Sequence, residues 1–186
     1  MGNLETFVTL LEREFDAENP EIFGVSGSDR IVETLKLLTQ RSQKSIHIVT
    51  GLLPSQALWR QDIVDSMRAF IARKGLLRIL FHHVEPTWIK SFMDSLSVAV
   101  PPGKNLSDFA RAKSFGNAMP APDMKFPELM VFDQKHYRIT ANGDWADTEG
   151  FLQLYHETEA QKIVSFVEVL WEKAQDPFVT SPLFSP

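Results

Sequence analysis

Two continuously apolar runs, separated by an amphipathic segment, place the strongest constraint on the fold of this chain. Residues 45–50 read SIHIVT and residues 76–82 read LLRILFH. Uninterrupted β-branched and aliphatic runs are typical of strands buried on both faces, whereas half-exposed strands alternate. The length of 186 residues is close to that of one ordinary domain. The pattern therefore predicts an interior sheet within a single α/β domain.

Helical and extended patterns alternate along the first half of the chain and then give way to a hairpin. The pattern predicts helices over residues 3–16, 28–41, 55–74, from 86 onward and over 158–174. It predicts strands over residues 21–25, 45–50, 76–82, 98–100, 128–133, 136–140 and 151–155. Ser28 or Asp29 is expected to cap the second helix, and Thr158 with Gln161 to form a capping box at the last. Residues 103–127 are predicted to be a long loop.

Alternation of this kind favours a parallel sheet with helices on its faces, to which the hairpin adds antiparallel strands. The predicted fold class is α/β, a single domain with a mixed, largely parallel β-sheet flanked by helices on both faces. We expect an N-terminal helix over residues 1–20, the α/β domain over 21–175 and a proline-rich tail over 176–186.

Composition excludes several classes of function. The chain has no cysteine, so disulfides, thiolate metal sites and cysteine nucleophiles are excluded. It carries 19 basic and 24 acidic residues, a net charge of −5, which does not favour nucleic-acid binding but does not exclude it. Walker, dinucleotide-binding, zincin and hydrolase motifs are missing, and no cofactor or metal is predicted. Without a secretory pattern or a long apolar run, we expect a cytoplasmic protein with no transmembrane segment.

Charged and titratable residues within the apolar strands are the next candidates for a site. His82 and His83 follow a strand, where open α/β sheets bind ligands, but adjacent side chains on a strand point to opposite faces. Two interpretations of these histidines stay open: they have a catalytic or metal-binding role, or they are simply polar residues at the end of a strand. His47 is predicted to be a satisfied core residue, and Arg78 to pair with a neighbouring carboxylate.

From about residue 28 to residue 174 the layout resembles the phospholipase D-like superfamily. The segments that carry the resemblance are KSIHIVTGLL, QDIVDSMRAFIARKG, LLRILFHH, the hairpin ELMVFDQKHYRIT and the closing helix IVSFVEVLWEKA. Active members of that superfamily carry His-x-Lys-x4-Asp, in which the histidine attacks phosphorus and the lysine binds the phosphate.

The resemblance places the aspartate of that motif at Asp133, the lysine at Glu128 and the histidine at Phe126. Phenylalanine has no nucleophilic atom, and a glutamate repels phosphate, so the resemblance implies a degenerate, catalytically silent member. His136 and Arg138 are the nearest imitation of the motif and are predicted to share one strand face. The candidate pocket therefore comprises Phe126, Glu128, Asp133, His136 and Arg138, together with the histidines at 82 and 83.

Three functions follow from this reading. The first is a non-catalytic binding or scaffolding module. The second is a phosphodiesterase or nuclease that uses His82, His83 or His136, and the third is a nucleic-acid-binding regulatory module. The resemblance implies a homodimer, because members with one motif per chain often pair. The apolar residues of the tail are expected to offer a docking segment for a protein partner.

Overall fold

The computed structural model describes residues 3–52, 58, 60–83, 86–115, 128–140 and 150–176. Its helices are α1 (Leu4–Asp16), α2 (Ser28–Arg41), α3 (Gln61–Ala72), α4 (Pro86–Ser97) and α5 (Glu157–Lys173), with a 3-10 turn at Leu106–Asp108. Its strands are β1 (Ile22–Val25), β2 (Ser45–Leu52), β3 (Leu76–His83), β4 (Ala110–Ser114), β5 (Glu128–Phe132), β6 (His136–Thr140) and β7 (Gly150–Gln153).

The strands form one mixed sheet in the order β1-β7-β6-β5-β2-β3-β4. β3 pairs in parallel with both β2 and β4, and the other four pairings are antiparallel. The α/β class and the mixed sheet are confirmed, but the parallel share is smaller than expected. Helices α3 and α4 connect strands that pair directly in parallel, and α2 connects β1 to the parallel but distant β2, whereas the chain after β5 folds back through antiparallel neighbours.

Helices cover both faces of the sheet, as predicted. Helices α1–α4 pack on one face in a core that includes Leu11, Ile48 and Met130. Among the described helices, α5 alone packs on the other face, over Val49, Leu129 and neighbouring residues. Strand residues alternate between these two cores because successive side chains point to opposite faces. Within the described ranges, no helix has the length and apolarity to cross a bilayer.

Local predictions failed where the apolar signal was weak. β4 lies inside the segment predicted as a loop, because its small and charged residues give a half-exposed edge strand no apolar run. Residues 98–100 form hydrogen-bonded turns at the end of α4 rather than a strand, with Ala99 N donating to Leu96 O at 3.1 Å.

The N-caps of two helices also differ from the predicted residues. The N-cap of α2 is Gly27, at a φ of 84°, and that of α5 is His156, so the Thr158–Gln161 capping box does not form.

The first helix shares the hydrophobic core of the sheet. Phe7 and Leu11 of α1 are buried in the same cluster as the inner side chains of α2. Asn3 caps α1 as predicted, since its side chain accepts from Glu5 N at 3.4 Å. The proposed division at residue 20 stays a prediction, and residues 177–186 of the predicted tail lie outside the described residues.

Candidate functional site

A buried ion pair occupies the carboxyl edge of the central sheet. Glu128 begins β5, and Arg138 on β6 lies opposite Met130, so both side chains share the face covered by α1–α4. Arg138 Nη1 and Glu128 Oε2 are 3.6 Å apart, and the two side chains are 0% and 2% exposed. The hairpin register therefore places a carboxylate and a guanidinium together inside the core.

The Arg138 guanidinium and the Glu128 carboxylate attract each other within the core. Burial lowers the pKa of Arg138 below its ordinary value, and the nearby Glu128 carboxylate opposes that shift. An arginine nevertheless keeps its proton in proteins, so the site contains a buried cation beside a carboxylate. Removing either partner would leave an uncompensated charge in a medium of low polarity. The Arg138 guanidinium therefore already has an anionic neighbour in the folded chain.

Buried hydroxyl groups line the same edge. Thr140 lies opposite Glu128 in the β5–β6 register, and Thr50 of β2 lies opposite Phe81 of β3. Both threonines are buried, and Thr140 Oγ1 approaches Glu128 O at 3.5 Å. Their positions within apolar strands were a readable signal that the sequence analysis did not use, because a polar residue in a buried strand needs a partner.

Asp133 has a structural role at the opposite end of the hairpin. Its carboxylate accepts hydrogen bonds from the backbone N–H groups of Gln43 (2.7 Å), Lys44 (2.7 Å) and Ser45 (3.0 Å). Asp133 and Gln134 both have positive φ, of 52° and 58°, which Asp and Asn tolerate better than most residues. The carboxylate thus fastens the hairpin turn to the start of β2.

His136 is a packing residue close to that turn. Its ring lies 4.9 Å from Phe15 and 4.5 Å from Tyr155, centroid to centroid. Its Nδ1 accepts a hydrogen bond from Tyr155 N at 3.1 Å. Burial is the main cause that lowers its pKa to about 4, so the ring is neutral near pH 7. His136 shares a strand face with Arg138, as predicted, but its partners are aromatic rings and a backbone amide.

The residues of the predicted pocket do not lie together in the structure. Asp133 and Glu128 lie at opposite ends of β5, roughly 17 Å apart along an extended strand. His82 and His83 end β3, on the same sheet edge as Glu128 but two strands away, or about 10 Å. Phe126 lies outside the described residues. Glu128 and Arg138 are therefore the only two of these candidates that the described part of the chain brings into charge contact.

His47 and Arg78, for which the sequence predicted partners, lie on the sheet face that α5 covers. Arg78 forms an ion pair with Glu168 of α5 and lies 5.3 Å from the Trp171 ring centroid, which confirms the predicted carboxylate partner. His47 is buried beside this pair, and burial followed by the Arg78 charge lowers its pKa to about 4. Over the described residues, no group of three or more His, Asp or Glu side chains has the arrangement of a metal site.

Comparison with known proteins gives a fold and no sequence family. No protein-family model and no curated protein sequence matches this chain. Nuc, a phospholipase D family member from Salmonella typhimurium, matches at a TM-score of 0.56 and 14% identity, over 85% of this chain and 98% of its own. NucT from Helicobacter pylori matches at 0.59 and 12% identity, over 85% of this chain and 98% of its own.

A third structure extends the comparison to a DNA-binding protein. TrmBL2, an archaeal chromatin protein with a novel mode of DNA binding, matches at a TM-score of 0.59 and 13% identity. The match covers 92% of this chain but only 60% of TrmBL2. Identities this low carry no statement about activity or ligand. They show that the chain has the phospholipase D-like fold, as the resemblance predicted.

Proposed function

We propose that this chain is a non-catalytic binding or scaffolding module on a phospholipase D-like fold, and that it acts as a homodimer. The observation that carries the proposal is the buried Glu128–Arg138 pair. The resemblance places a phosphate-binding lysine at position 128, and this chain has a glutamate there. An unpaired cation favours phosphate binding, and here the Arg138 guanidinium already lies beside the Glu128 carboxylate.

The missing nucleophile supports the same proposal. The position that the resemblance assigns to the attacking histidine is Phe126, whose side chain has no atom that attacks phosphorus. The nearest described histidine to the ion pair along β6 is His136, which is buried and accepts a backbone hydrogen bond through Nδ1. Its ring is held by Phe15 and Tyr155, an arrangement suited to packing.

The test is a survey of phosphodiester hydrolysis by the purified chain. Suitable probes are single-stranded DNA, RNA, phosphatidylcholine vesicles and bis(p-nitrophenyl) phosphate, with an active phosphodiesterase in the same buffers as the positive control. We expect no turnover above the buffer rate for any probe. Turnover that disappears in Glu128→Gln or His136→Gln would overturn the proposal and support the phosphodiesterase alternative.

A nucleic-acid-binding regulatory module is the second candidate, and the likeness to TrmBL2 over 92% of this chain favours it. The net charge of −5 opposes it, because phosphate contacts supply most non-specific affinity. The discriminating measurement is fluorescence anisotropy of labelled duplex DNA and single-stranded RNA at low and physiological salt. Binding that weakens steeply with salt would favour this candidate over the scaffold.

A further inference from the structure

A groove of about 630 Å³ borders β4, which is an edge strand of the described sheet. On the side of α4 it is lined by Lys90, Met93, Asp94 and Leu106, and on the side of α5 by Arg111, Lys113 and Trp171. These two sets of residues are hereafter the α4 wall and the α5 wall of the β4 groove. Because β4 pairs with β3 on its other side, the groove lies where a further strand would join the sheet.

The backbone of β4 directs alternate hydrogen-bonding groups away from β3. Phe109 O accepts from Leu77 N at 2.7 Å, and Phe115 N donates to Phe81 O at 3.0 Å. In a parallel ladder this pattern continues at every second residue, so residues 111 and 113 also bond to β3. The N–H and C=O groups of residues 110, 112 and 114 therefore point outward. An added strand bonds to groups of this kind.

Ser114 shows that this edge accepts a further segment. Its N–H and C=O groups each bond to Gln175, at 2.8 Å, in an antiparallel bridge. The next bonded pair of that ladder would set residue 177 opposite Ala112, but residue 177 is a proline and has no N–H to donate. Among the described residues the backbone of Ala112 has no hydrogen-bond partner, and Ala110 is only 1% exposed. Ala112 is thus the residue at which a segment of another molecule would pair.

Arg111 supplies the unbalanced positive charge of the α5 wall. It lies opposite Arg78 in the β3–β4 register, so its exposed side chain is on the sheet face that α5 covers. Its Nε donates to Ser107 O at 2.6 Å, and it forms no ion pair with a described residue. Lys113 shares this face, but continuing the Gln175 bridge by one residue sets Asp176 opposite it.

The α4 wall is apolar at its base and has no net charge at its rim. Met93 is buried in the core beneath α4, and Leu106 packs against that core. Lys90 and Asp94 are exposed, one helical turn apart and opposite in charge, so they offset each other. The side chain of Ala112 belongs to the same core and is only a methyl group, which leaves room beside it for a larger apolar side chain.

We propose that the β4 groove binds an extended peptide segment of a partner protein with the pattern apolar–acidic–apolar. One apolar residue pairs with the backbone of Ala112, and its side chain enters the α4 wall. The acidic residue lies opposite Arg111 and the other apolar residue opposite Ala110, because side chains alternate between the two faces. The pattern is symmetric and fits either strand direction. The inference rests on the binding function proposed above and names the chemistry of the partner.

The first test is fluorescence anisotropy of a labelled peptide, Thr-Thr-Val-Glu-Val-Thr-Thr, with the full chain. We expect saturable binding, because β-branched residues favour the extended conformation. A peptide with lysine in place of glutamate should bind about tenfold or more weakly, because it sets like charges together at Arg111. A peptide with proline in place of both valines lacks their N–H groups and should not bind. No saturable binding of the glutamate peptide, or equal binding of all three, would overturn the proposal.

A charge reversal on the chain tests where the glutamate of the peptide lies. Arg111→Glu should reverse the preference, so that the lysine peptide binds about tenfold or more tightly than the glutamate peptide. Lys104→Glu is the matched control, because Lys104 is exposed and does not line the groove. This control should keep the preference of the wild type. If Arg111→Glu also keeps it, with circular dichroism unchanged, the proposed pairing is wrong.

Hydrogen exchange of the backbone amides tests the added strand itself. Saturating glutamate peptide should slow exchange of the Ala112 amide about tenfold or more. The Arg111 amide already bonds to β3 and should change little. Unchanged exchange at Ala112 would mean that the peptide does not pair with β4, and would overturn the proposal.

Two further outcomes would assign the groove to another occupant and so overturn the proposal. If the peptide bound only to the double variant Phe178→Ser/Phe184→Ser, the occupant would be residues 177–186 of this chain. If dodecanoate bound saturably and the peptide did not, the occupant would be a small amphiphile. The proposed function fails in a different measurement. Phosphodiester turnover with peptide binding intact would remove the non-catalytic function and leave the peptide groove in place.

Discussion

Glu128 and Arg138 are the residues on which the functional account depends. A carboxylate at the start of a buried strand is stable only beside a cation, and the β5–β6 register supplies one from the adjoining strand. Sequence analysis identified Glu128 because the resemblance places the lysine of the motif there, and Arg138 because it imitates the motif together with His136. It could not predict that they face one another, since that contact depends on the geometry of the hairpin turn.

Removing one charge of this pair should be much more harmful than removing both. Glu128→Gln leaves the Arg138 guanidinium without its carboxylate, and we expect a loss of about 3–5 kcal/mol in the free energy of unfolding. The double variant Glu128→Leu/Arg138→Met removes both charges, and should lie within about 1–2 kcal/mol of the wild type or exceed it. Urea denaturation followed by circular dichroism measures both differences.

A partly exposed ion pair serves as the control for that experiment. Glu33 and Lys36 lie 3.4 Å apart on the surface of α2, and Glu33→Gln should change stability by less than about 1 kcal/mol. If Glu128→Gln is as mild as the surface variant, the buried pair does not have the role described here.

At the scale of elements, long apolar runs in the sequence predicted the positions of strands well, whereas short or polar segments did not. The runs at 45–50 and 76–82 became β2 and β3, and the hairpin over 128–140 formed with its predicted strands. β4 was missed because its pattern, ARAKS, has no bulky apolar residue. The caps of α2 and α5 were misplaced because cap choice depends on how the preceding chain enters the helix.

Two glycines in paired strands offer an element-scale prediction. A Cβ on Gly150 would lie 2.6 Å from Thr140 Cγ2 and 2.8 Å from Ile139 O, whereas a Cβ on Gly24 would have no atom within 4 Å. Gly150→Ala should therefore destabilise the fold by about 1–3 kcal/mol, because it forces β6 and β7 apart. Gly24→Ala, the matched control, should be neutral or slightly stabilising.

Thermal and urea unfolding of these two variants tests the register of the outer strands. Equal destabilisation by both substitutions, or none from Gly150→Ala, would show that β7 does not lie against β6 in the register described.

At the scale of the whole molecule, the sequence predicted the class but not the order of the strands. A mixed sheet with helices on both faces followed from the alternation of patterns. The balance toward antiparallel pairing did not, since it depends on β5 adding beside β2 and on β7 reaching β1. Contacts between segments far apart in the chain, such as Arg78 with Glu168, have no local signal.

Two buried histidines should make the stability of the whole domain depend on pH. His47 and His136 have pKa values lowered to about 4 from 6.5, chiefly by burial. Between those pH values the unfolded chain binds more protons than the folded chain, so stability rises with pH. Acidification from pH 6.5 toward 4 should therefore remove as much as about 1.4 kcal/mol per pH unit for each histidine.

Urea denaturation at a series of pH values measures this slope, and His136→Gln isolates one of the two contributions. The variant should lower the slope by up to about 1.4 kcal/mol per pH unit across that window. An unchanged slope would mean that His136 is protonated as readily in the folded chain as in the unfolded one.

The central proposal is that position 128, to which the resemblance assigns the phosphate-binding lysine, holds a glutamate that is paired with Arg138. Its most direct test is titration of the isotope-labelled chain with inorganic phosphate, followed through the backbone amide resonances of residues 128–140. We predict no saturable shift in this segment across the millimolar range, in the wild type or in Arg138→Met. Saturable shifts centred on Glu128 and Arg138, absent from Arg138→Met, would contradict the account.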